Sequence, residues 1–475
     1  MNYVTKELQP NDVFKIFEDI SQIARPTGNP KNQAEIINFI VQTLNAHGIT
    51  TQKDDAGNLY ASRKAAAGYE HVPGILLQAH VDMVCAPNED IFPLKLVVDD
   101  KYLHADGTSC GLDNGMGAAL AMSLLINPPA KHGLLEAAFT LNEDTDCFGA
   151  INMKPGYVKS AYMISLDDES WGKICIGSAG AEAFTHTLPI KKEALKHKTF
   201  IEIKVEGLIG GHSGYSIHKG QANGIKICAE IFKALQADGC QLVAINGGMA
   251  DNAIPQSCTM VIAADEFNEQ KFNEICAALK AKFSSTDPEM TITATPTTNY
   301  DSAISADLAD ILLSCPNGAI KFHTMDDGSQ EIQTSSNLAS IATEGDKIVI
   351  KTLSRSSVKA ELEQVVSDIQ SNFKQYGDGV TSLNHSSALC WEPDWNSSFL
   401  ATAKAVFKEQ NGKEPEIYAP HCYMEGAYFV NIHGLLPIAL GPQIDGAHTV
   451  EERVEIATVG KCRNLAVGII EKICE

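Results

Sequence analysis

His80 and Asp82 suggest chemistry by their types and spacing, because they stand two residues apart at the end of an apolar segment, residues 74–82. In a strand, residues i and i+2 point to the same side. Asp82 can therefore orient the imidazole of His80, whose other ring nitrogen is free to bind a metal ion. The pair alone is a weak signal, since a hydrogen-bonded core histidine is its commoner source.

A glycine-rich turn with one carboxylate, Asp113, occupies residues 109–117 and leads into an apolar helical segment. Two interpretations fit this segment. Asp113 or Asn114 caps the helix, for which Asp and Asn are preferred residues. Alternatively, the carboxylate of Asp113 bridges two cations, and the glycines let the backbone approach closely.

Two adjacent carboxylates, Glu143 and Asp144, follow the apolar segment 137–141 directly. Neighbouring carboxylates repel each other unless a positive charge lies nearby, and a metal ion would supply that charge. One acid could then bind the metal while the other serves as a general base toward water. Asp146, two residues further on, is equally well explained as a turn residue.

Two further segments place polar side chains after predicted strands. Asp167, Asp168 and Glu169 end the apolar segment 161–166, and His448 lies in a glycine-rich loop after the segment 436–440. Considered alone, the side chains of each segment are explained equally well as loop or helix-cap residues. Together with the preceding segments, they put His and carboxylate ligands at strand ends, where sites in α/β sheets are usually found. The sequence therefore predicts a cation site.

Strand and helix patterns alternate along residues 1–190, which predicts an α/β sheet between helices. The charged segment 191–198 marks a change of pattern. From there to residue 388, strands and helices follow in the series expected of an α+β domain with a ferredoxin-like pattern. Residues 389–475 resume the α/β character. We therefore predict a catalytic α/β/α sandwich, residues 1–190 and 389–475, interrupted by an inserted α+β lid and dimerisation domain, residues 191–388.

Composition excludes several functional classes. The 475 residues are too many for one ordinary core, and no segment approaches the roughly 20 apolar residues of a membrane span. A net charge of −22 disfavours nucleic acid and anionic membranes as partners. The 13 cysteines show no paired CxxC spacing, which is typical of reduced thiols and leaves His and carboxylates as metal ligands. The polar N-terminus lacks signal-peptide features, so we expect a cytoplasmic protein.

The ordered motifs resemble those of the M20 metallopeptidase family, which has a zinc-aminopeptidase-like catalytic fold. The resemblance rests on residues 80–82, 111–115, 142–144, 166–169 and 446–448. A closer resemblance, to the bacterial aminoacyl-histidine (Xaa-His, carnosinase-type) dipeptidases, rests on residues 210–214 (GGHSG), 217–220 (IHKG), 251–255 (DNAIP), 354–357 (SRSS) and 391–394 (WEPD). It covers nearly the whole chain, and its motifs occur in the family's order.

The resemblance implies a centre of two divalent metal ions. Asp113 would bridge them, with His80 and Asp167 completing one site and Asp144 and His448 completing the other. Zinc is the expected metal, and manganese or cobalt could substitute. The resemblance also implies a cis peptide bond after Asp113. Where the family has two glutamates, this chain has a Glu followed by Asp144, so either its loop sits closer or the second metal binds less tightly.

The resemblance also implies catalytic and substrate-binding roles. Glu143 would be the general base toward metal-activated water, and Asp82 would orient the metal-binding histidine. His212 would polarise the scissile carbonyl, Arg355 would hold the substrate's carboxylate, and Asn252 would also contact substrate. A surface charge at a helix start explains Arg355 equally well.

The implied function is hydrolysis of Xaa-His and related dipeptides by a cytoplasmic homodimer that dimerises through the inserted domain. Within the same class, the substrate could be another dipeptide, a tripeptide or an N-acyl amino acid. The loop at residues 421–426 matches the family only loosely, which bears on substrate preference. Two other classes remain: a non-catalytic peptide-binding protein with a degenerate site, which would not need Glu143, and an acidic interaction scaffold without metal.

Overall fold

The structure is a computed structural model that describes residues 3–298, 300–325 and 328–475. The chain divides into two compact units. The first comprises Met1–Gly177, Pro393–Ala419 and Met424–Glu475, and the second comprises Ser178–Glu392 and Pro420–Tyr423. The first unit is therefore built from chain on both sides of the second. The sequence-based boundaries, after residues 190 and 388, stay a prediction.

The helices of the described residues are, in chain order, α1 (Asn11–Ile20), α2 (Pro30–Ala46), α3 (Leu112–Ile126), α4 (Glu143–Asp146), α5 (Phe148–Ile151), α6 (Ser213–Ser216), α7 (Gly224–Gln236), α8 (Glu269–Lys282), α9 (Asp307–Ser314), α10 (Lys359–Lys374), α11 (Ser398–Asn411), α12 (Gly426–His433) and α13 (Ile456–Lys472). A 3-10 turn covers Ile217–Lys219. In this part of the chain, no helix combines the length and hydrophobicity needed to cross a membrane.

The strands before the second unit are β1 (Thr50–Lys53), β2 (Leu59–Arg63), β3 (Ile75–His80), β4 (Leu96–Val98), β5 (Tyr102–Ala105), β6 (Leu135–Thr140), β7 (Tyr162–Ser165) and β8 (Lys173–Cys175). Those of the second unit are β9 (Gly180–Pro189), β10 (Lys192–Glu193), β11 (Phe200–Glu206), β12 (Gly211–His212), β13 (Gln241–Gly247), β14 (Ala253–Ile254), β15 (Cys258–Ala263), β16 (Thr291–Pro296), β17 (Ala303–Ile304), β18 (Gly318–Thr324), β19 (Gln330–Glu344), β20 (Lys347–Ser356) and β21 (Thr381–Ala388). After it come β22 (Glu416–Tyr418), β23 (Leu436–Ala439), β24 (Ile444–Asp445) and β25 (Arg453–Glu455).

The main sheet of the first unit has eight strands in the order β1-β2-β6-β3-β7-β23-β8-β22. Its centre is parallel, since β3 runs parallel to both β6 and β7, and β7 runs parallel to β23. These strands are apolar runs because both sheet faces are covered. Along β3, Leu77 joins the core formed with α1, α2, α3, α11 and α13, whereas Leu76 joins a second cluster with Phe429 of α12. The predicted α/β/α architecture is confirmed.

A four-stranded sheet, in the order β24-β25-β5-β4, completes the first unit. Its strand β25 pairs antiparallel with both β24 and β5, with Val454 opposite Leu103 and Ile444. The loop between β24 and β25, residues 446–452, carries His448. The small sheet thereby anchors both ends of this loop.

The second unit contains an eleven-stranded antiparallel sheet whose main path is β16-β11-β15-β13-β19-β20-β9-β21. Helices α7, α8, α9 and α10 pack against it through one apolar cluster that includes Phe232, Met260, Leu308 and Phe373. The α+β character of the insert is confirmed, and its ferredoxin-like detail stays a prediction. The polar, glycine-rich segment 376–386 carries no alternating apolar pattern, yet β21 begins within it as an exposed edge strand.

Candidate metal centre

Three neighbouring parallel strands, β6, β3 and β7, deliver polar side chains to one edge of the main sheet. His80 is the last residue of β3, Glu143 and Asp144 follow β6, and Asp167 follows β7. Because the carboxyl ends of adjacent parallel strands meet at the same edge, residues distant in sequence converge there. The sequence-based expectation that these segments share an edge agrees with the strand order.

Asp113 lies at the start of α3, where its φ of −83° and ψ of 109° depart from helical values. The Asp113–Asn114 peptide bond is cis, which confirms the expectation from the family resemblance. The carboxylate of Asp113 lies between two histidines. Its Oδ1 is 3.2 Å from Nε2 of His80, and its Oδ2 is 3.0 Å from Nε2 of His448.

Two groups of ligand-type atoms share Asp113. One comprises His80, Asp113 and Asp167, the other Asp113, Asp144 and His448, and within each group the atoms lie within 4.8 Å of one another. Nε2 of His80 is 3.6 Å from Oδ1 of Asp167, and Nε2 of His448 is 2.9 Å from Oδ1 of Asp144. The shorter side chain of Asp144 therefore still reaches the histidine. The structure brings all five predicted ligands together.

Charge is concentrated in this cluster. Burial raises the pKa of Asp167 well above its usual range, an effect that His80 opposes. Burial would also raise the pKa of Asp113, but hydrogen bonds from His448 and His80 lower it below its usual value. Contact with the carboxylates of Asp113 and Asp144 raises the pKa of His448 to about 10. The histidines thus act as the positive partners of the carboxylates.

The residues present fit a pair of divalent cations. The side chain of Asp144 is fully buried, and neither of its oxygens accepts a well-aligned hydrogen bond, although Nε2 of His448 lies 2.9 Å from Oδ1. A buried carboxylate without such partners is costly, and a cation is one of the few groups that compensates it. A donor set of histidine and carboxylate suits zinc and also accommodates manganese or cobalt. The shared position of Asp113 suits a bridging ligand.

Asp82 and Glu143 lie beside the ligand-type residues. Oδ1 of Asp82 is 3.6 Å from Nδ1 of His80, and its two oxygens accept the backbone N–H groups of Glu143 (3.2 Å) and Asp144 (3.4 Å). Asp82 thus contacts both the histidine and the turn that carries Glu143. Burial, together with the nearby carboxylates of Asp144 and Asp113, raises the pKa of Glu143 to about 7 against the opposing charge of His80.

Several acidic residues near this edge have other surroundings. Asp168 accepts a hydrogen bond from the hydroxyl of Tyr418 at 2.6 Å, and Asp146 caps the N–H of Phe148 at 3.0 Å, as expected of a turn residue. Glu169 is half-buried close to Asp113, and partial burial together with the charge of Asp113 raises its pKa to about 7. Sequence reasoning did not separate Glu169 from Asp168, because adjacent acids after a strand look alike.

Two buried glutamates were missed altogether. Glu425 accepts hydrogen bonds from Gln78 and Thr140, each at 2.6 Å, and Glu452 accepts four from backbone N–H groups around Asp113. Both stand in charged or mixed segments that are typical of a surface. Their partners are 285 to 347 residues away in sequence, so the local sequence gives no sign of these contacts.

The second unit holds the three predicted substrate-binding residues. His212 ends β12, which pairs with β14. Asn252 directly precedes β14, and its carbonyl accepts the N–H of Ser213 at 2.7 Å. Nδ1 of His212 accepts the N–H of Gly214 at 3.1 Å, so the neutral ring carries its proton on Nε2. Burial and the charge of Arg355 lower the pKa of His212.

Arg355 is a buried residue of β20 rather than a surface charge at a helix start. Only 4% of it is exposed, and its Nε and Nη1 have no hydrogen-bond partner. His421 lies near it, with Nε2 2.7 Å from Oγ of Ser335, and burial together with Arg355 lowers the pKa of His421 to about 3. A buried guanidinium beside neutral histidines is suited to an anionic group.

The chain is similar to known peptidases over nearly its whole length. Residues 76–472 match the model of the peptidase family M20/M25/M40. The chain is 29% identical to the cytosol non-specific dipeptidase of Escherichia coli K12, over 98% of each chain. The structure of aminoacylhistidine dipeptidase from Vibrio alginolyticus matches with a TM-score of 0.91 at 26% identity, covering 99% of this chain and 98% of that one. Aminopeptidase PepT from Bacillus cereus shares the fold, with a TM-score of 0.58 at 16% identity over 98% and 100% of the chains.

Proposed function

The chain belongs to the metallopeptidase family M20/M25/M40, and from this premise we propose that it is a two-metal dipeptidase of Xaa-His and related dipeptides. The observation that carries the proposal is the carboxylate of Asp113, whose two oxygens each face a different histidine. The full-length relatives support the dipeptidase class, since one is named a non-specific dipeptidase and the other an aminoacylhistidine dipeptidase.

The proposed metal ligands are His80 and Asp167 for one ion and Asp144 and His448 for the other, with Asp113 common to both. When bound, divalent ions supply Lewis acidity toward water and the scissile carbonyl. Asp82 orients the imidazole of His80 through its Nδ1 side. Histidine orientation by a carboxylate is a frequent arrangement around metal sites.

Glu143 is the proposed general base. It takes a proton from the attacking water and delivers it to the leaving amine, so the proton lost in the first step is returned in the second. Its position on the turn after β6, which Asp82 fixes through two backbone N–H groups, supports this role. A non-catalytic binding protein would have no use for a base at this position.

Substrate binding is proposed for the second unit. Arg355 pairs with the carboxylate of the dipeptide, because its Nε and Nη1 are buried without partners and a guanidinium binds carboxylates in a fork geometry. His212 donates from Nε2 to the carbonyl oxygen that becomes negatively charged. Asn252 contacts the substrate backbone. The protein acts in the cytoplasm, as the name of the Escherichia coli relative states for that protein, and as a homodimer through the inserted domain.

A panel of dipeptides tests the proposal, with Xaa-His compounds, matched non-histidine dipeptides, a tripeptide and an N-acyl amino acid, each with and without chelator. We expect chelator-sensitive hydrolysis of dipeptides, highest for Xaa-His. If non-histidine dipeptides are hydrolysed as fast as Xaa-His dipeptides, the enzyme is a dipeptidase of broad specificity, without a preference for histidine. Binding of dipeptides without turnover would favour a peptide-binding protein. If the purified protein contains no zinc, manganese or cobalt and does not respond to their addition, both the dipeptidase and the peptide-binding protein with a degenerate metal site would be contradicted.

A further inference from the structure

Glu452 is a buried acid whose carboxylate is surrounded by backbone donors. Its Oε2 accepts the N–H groups of Cys110 at 2.6 Å and Gly111 at 2.7 Å, and its Oε1 accepts those of Leu112 at 2.7 Å and Asp113 at 3.1 Å. Only 2% of the residue is exposed. Four consecutive N–H groups thus converge on one side chain.

These donors need an external acceptor. The first N–H groups of an α-helix have no acceptor within the helix, and Leu112 and Asp113 are the first residues of α3. Gly111, which precedes them, has a φ of +62°, a conformation that favours glycine. Glu452 therefore satisfies a segment whose backbone places the carboxylate of Asp113.

The opposite side of the same segment is held by Arg25. Its Nη2 donates to the carbonyl of Gly111 at 2.6 Å, and its Nη1 donates to the carbonyls of Val81 and Asp82 at 3.1 and 3.2 Å. Arg25 is fully buried, so the contact is shielded from solvent. The turn before Asp113 is consequently tied to the chain that follows His80 on one side and to Glu452 on the other.

Glu452 stands four residues after His448 in the loop that β24 and β25 anchor. The loop that supplies His448 also supplies the acceptor for the backbone of Asp113, across 339 residues of sequence. We propose that Glu452 is a positioning residue that sets the carboxylate of Asp113 against His448 and so fixes the spacing of both metal sites. This inference rests on the proposed two-metal function and adds to it a residue that binds no metal.

The proposal distinguishes Glu452 from an acid that merely stabilises the fold. In Glu452→Gln, the amide nitrogen replaces one acceptor and opposes two backbone donors, which displaces the turn. We expect zinc affinity to fall about 10- to 100-fold, the usual effect of losing a residue that orients a metal ligand. The matched control is Glu451→Gln, which removes the same charge from the exposed neighbouring residue and should bind zinc as the parent does.

Zinc affinity is measured by competition with a chromophoric chelator, at a temperature at which circular dichroism shows all variants folded. Loss of stability with dissociation constants within twofold of the Glu451→Gln control would overturn the positioning role. Failure of the parent protein itself to bind zinc, manganese or cobalt would overturn the proposed function as well. The two failures are therefore distinguishable.

A second measurement does not depend on how the variant folds. In the metal-free parent protein, the N–H groups of Leu112 and Asp113 should exchange with solvent far more slowly than first-turn amides of other helices, such as that of Lys271 in α8. Their acceptor is a buried carboxylate, whereas Lys271 is bonded to the exposed side chain of Asn268 at 3.0 Å. Exchange of the Leu112 and Asp113 amides at the rate of Lys271 would contradict the proposal.

Discussion

Asp113 and Arg355 show how single residues acquire roles from their surroundings. Asp113 could cap a helix, but its carboxylate faces His80 and His448 instead of its own backbone. Arg355 could be a surface charge, but it is buried with unpaired donors. From residue types and spacing, a cation-facing carboxylate was one of the two alternatives predicted for Asp113. The same signals could not decide whether Arg355 is buried or exposed, because burial depends on tertiary packing, which the local sequence does not determine.

Replacing Glu143 by Gln keeps the size of the side chain and removes its ability to take a proton. We expect kcat to fall by about 10²- to 10⁴-fold, the contribution typical of a general base, while the metal content is unchanged. Steady-state kinetics and elemental analysis of the same preparation measure both quantities. Asp146→Asn is the matched control in the same turn, since it keeps its acceptor for the N–H of Phe148. Full turnover by Glu143→Gln would contradict the base assignment.

Replacing Arg355 by Met removes the proposed carboxylate partner and leaves an apolar side chain in a buried position. Charge-assisted hydrogen bonds contribute about 1.5–3 kcal/mol, so kcat/KM for a free dipeptide should fall roughly 10- to 100-fold. A dipeptide with an amidated C-terminus should show a much smaller loss. If kcat/KM falls equally for the free and the amidated dipeptide, the C-terminal carboxylate of the substrate does not bind to Arg355.

At the level of elements, the strands that carry the site were predictable and the contacts that fix its loops were not. Strands β3, β6 and β7 are apolar runs, and their order brings His80, Glu143 and Asp167 to one edge. The loop of His448 is held by β25 and Glu452, whose partners lie 339 to 353 residues earlier in the chain. Edge strand β21 was missed because its residues are mostly exposed and lack alternation.

A buried hydrogen-bond network joins the same strands two to three residues before the site. Oγ of Ser165 donates to Oε1 of Gln78, and Gln78 and Thr140 both donate to Oε2 of Glu425, each bond being 2.6 Å long. We expect Thr140→Val, which keeps the shape and removes the hydroxyl, to lower the free energy of unfolding by about 1–3 kcal/mol in urea denaturation.

The control for Thr140→Val is the same substitution at Thr50, an exposed residue of β1, where the expected change is within about 0.5 kcal/mol. Equal effects at the two positions would show that the network adds no stability. A large effect at Thr140 alone would support the view that this network holds the strand ends together next to the proposed metal ligands.

At the scale of the whole molecule, acidic groups gathered at one sheet edge make the metal-free protein sensitive to pH. Burial raises the pKa values of Glu143 and Glu169 to about 7 and that of Glu425 to about 8, from an ordinary value of 4.5. The folded protein then holds protons that the unfolded chain releases in this range. The raised pKa of His448, about 10, acts in the same direction.

The free energy of unfolding of the metal-free protein should therefore fall as the pH rises from about 6.5 to about 8, above the range in which neutral buried histidines such as His421 have the opposite effect. Thermal unfolding in the presence of chelator measures this slope. Saturating zinc should raise Tm most at the upper end of the range, because metal binding to the folded state stabilises it and requires deprotonated ligands. A Tm that rises with pH in chelator would contradict the assignment of these carboxylates as buried and protonated.

The most direct test of the two-metal hydrolase is a zinc titration of metal-free protein in which bound metal and Xaa-His hydrolysis are measured in the same samples. We predict no hydrolysis without metal and an increase of activity that reaches its maximum when two equivalents are bound. Replacement of Asp113 by Asn should abolish both binding steps, since its carboxylate is common to the two groups of ligands. Full hydrolysis by chelated protein, or maximal activity with no metal bound, would contradict the account.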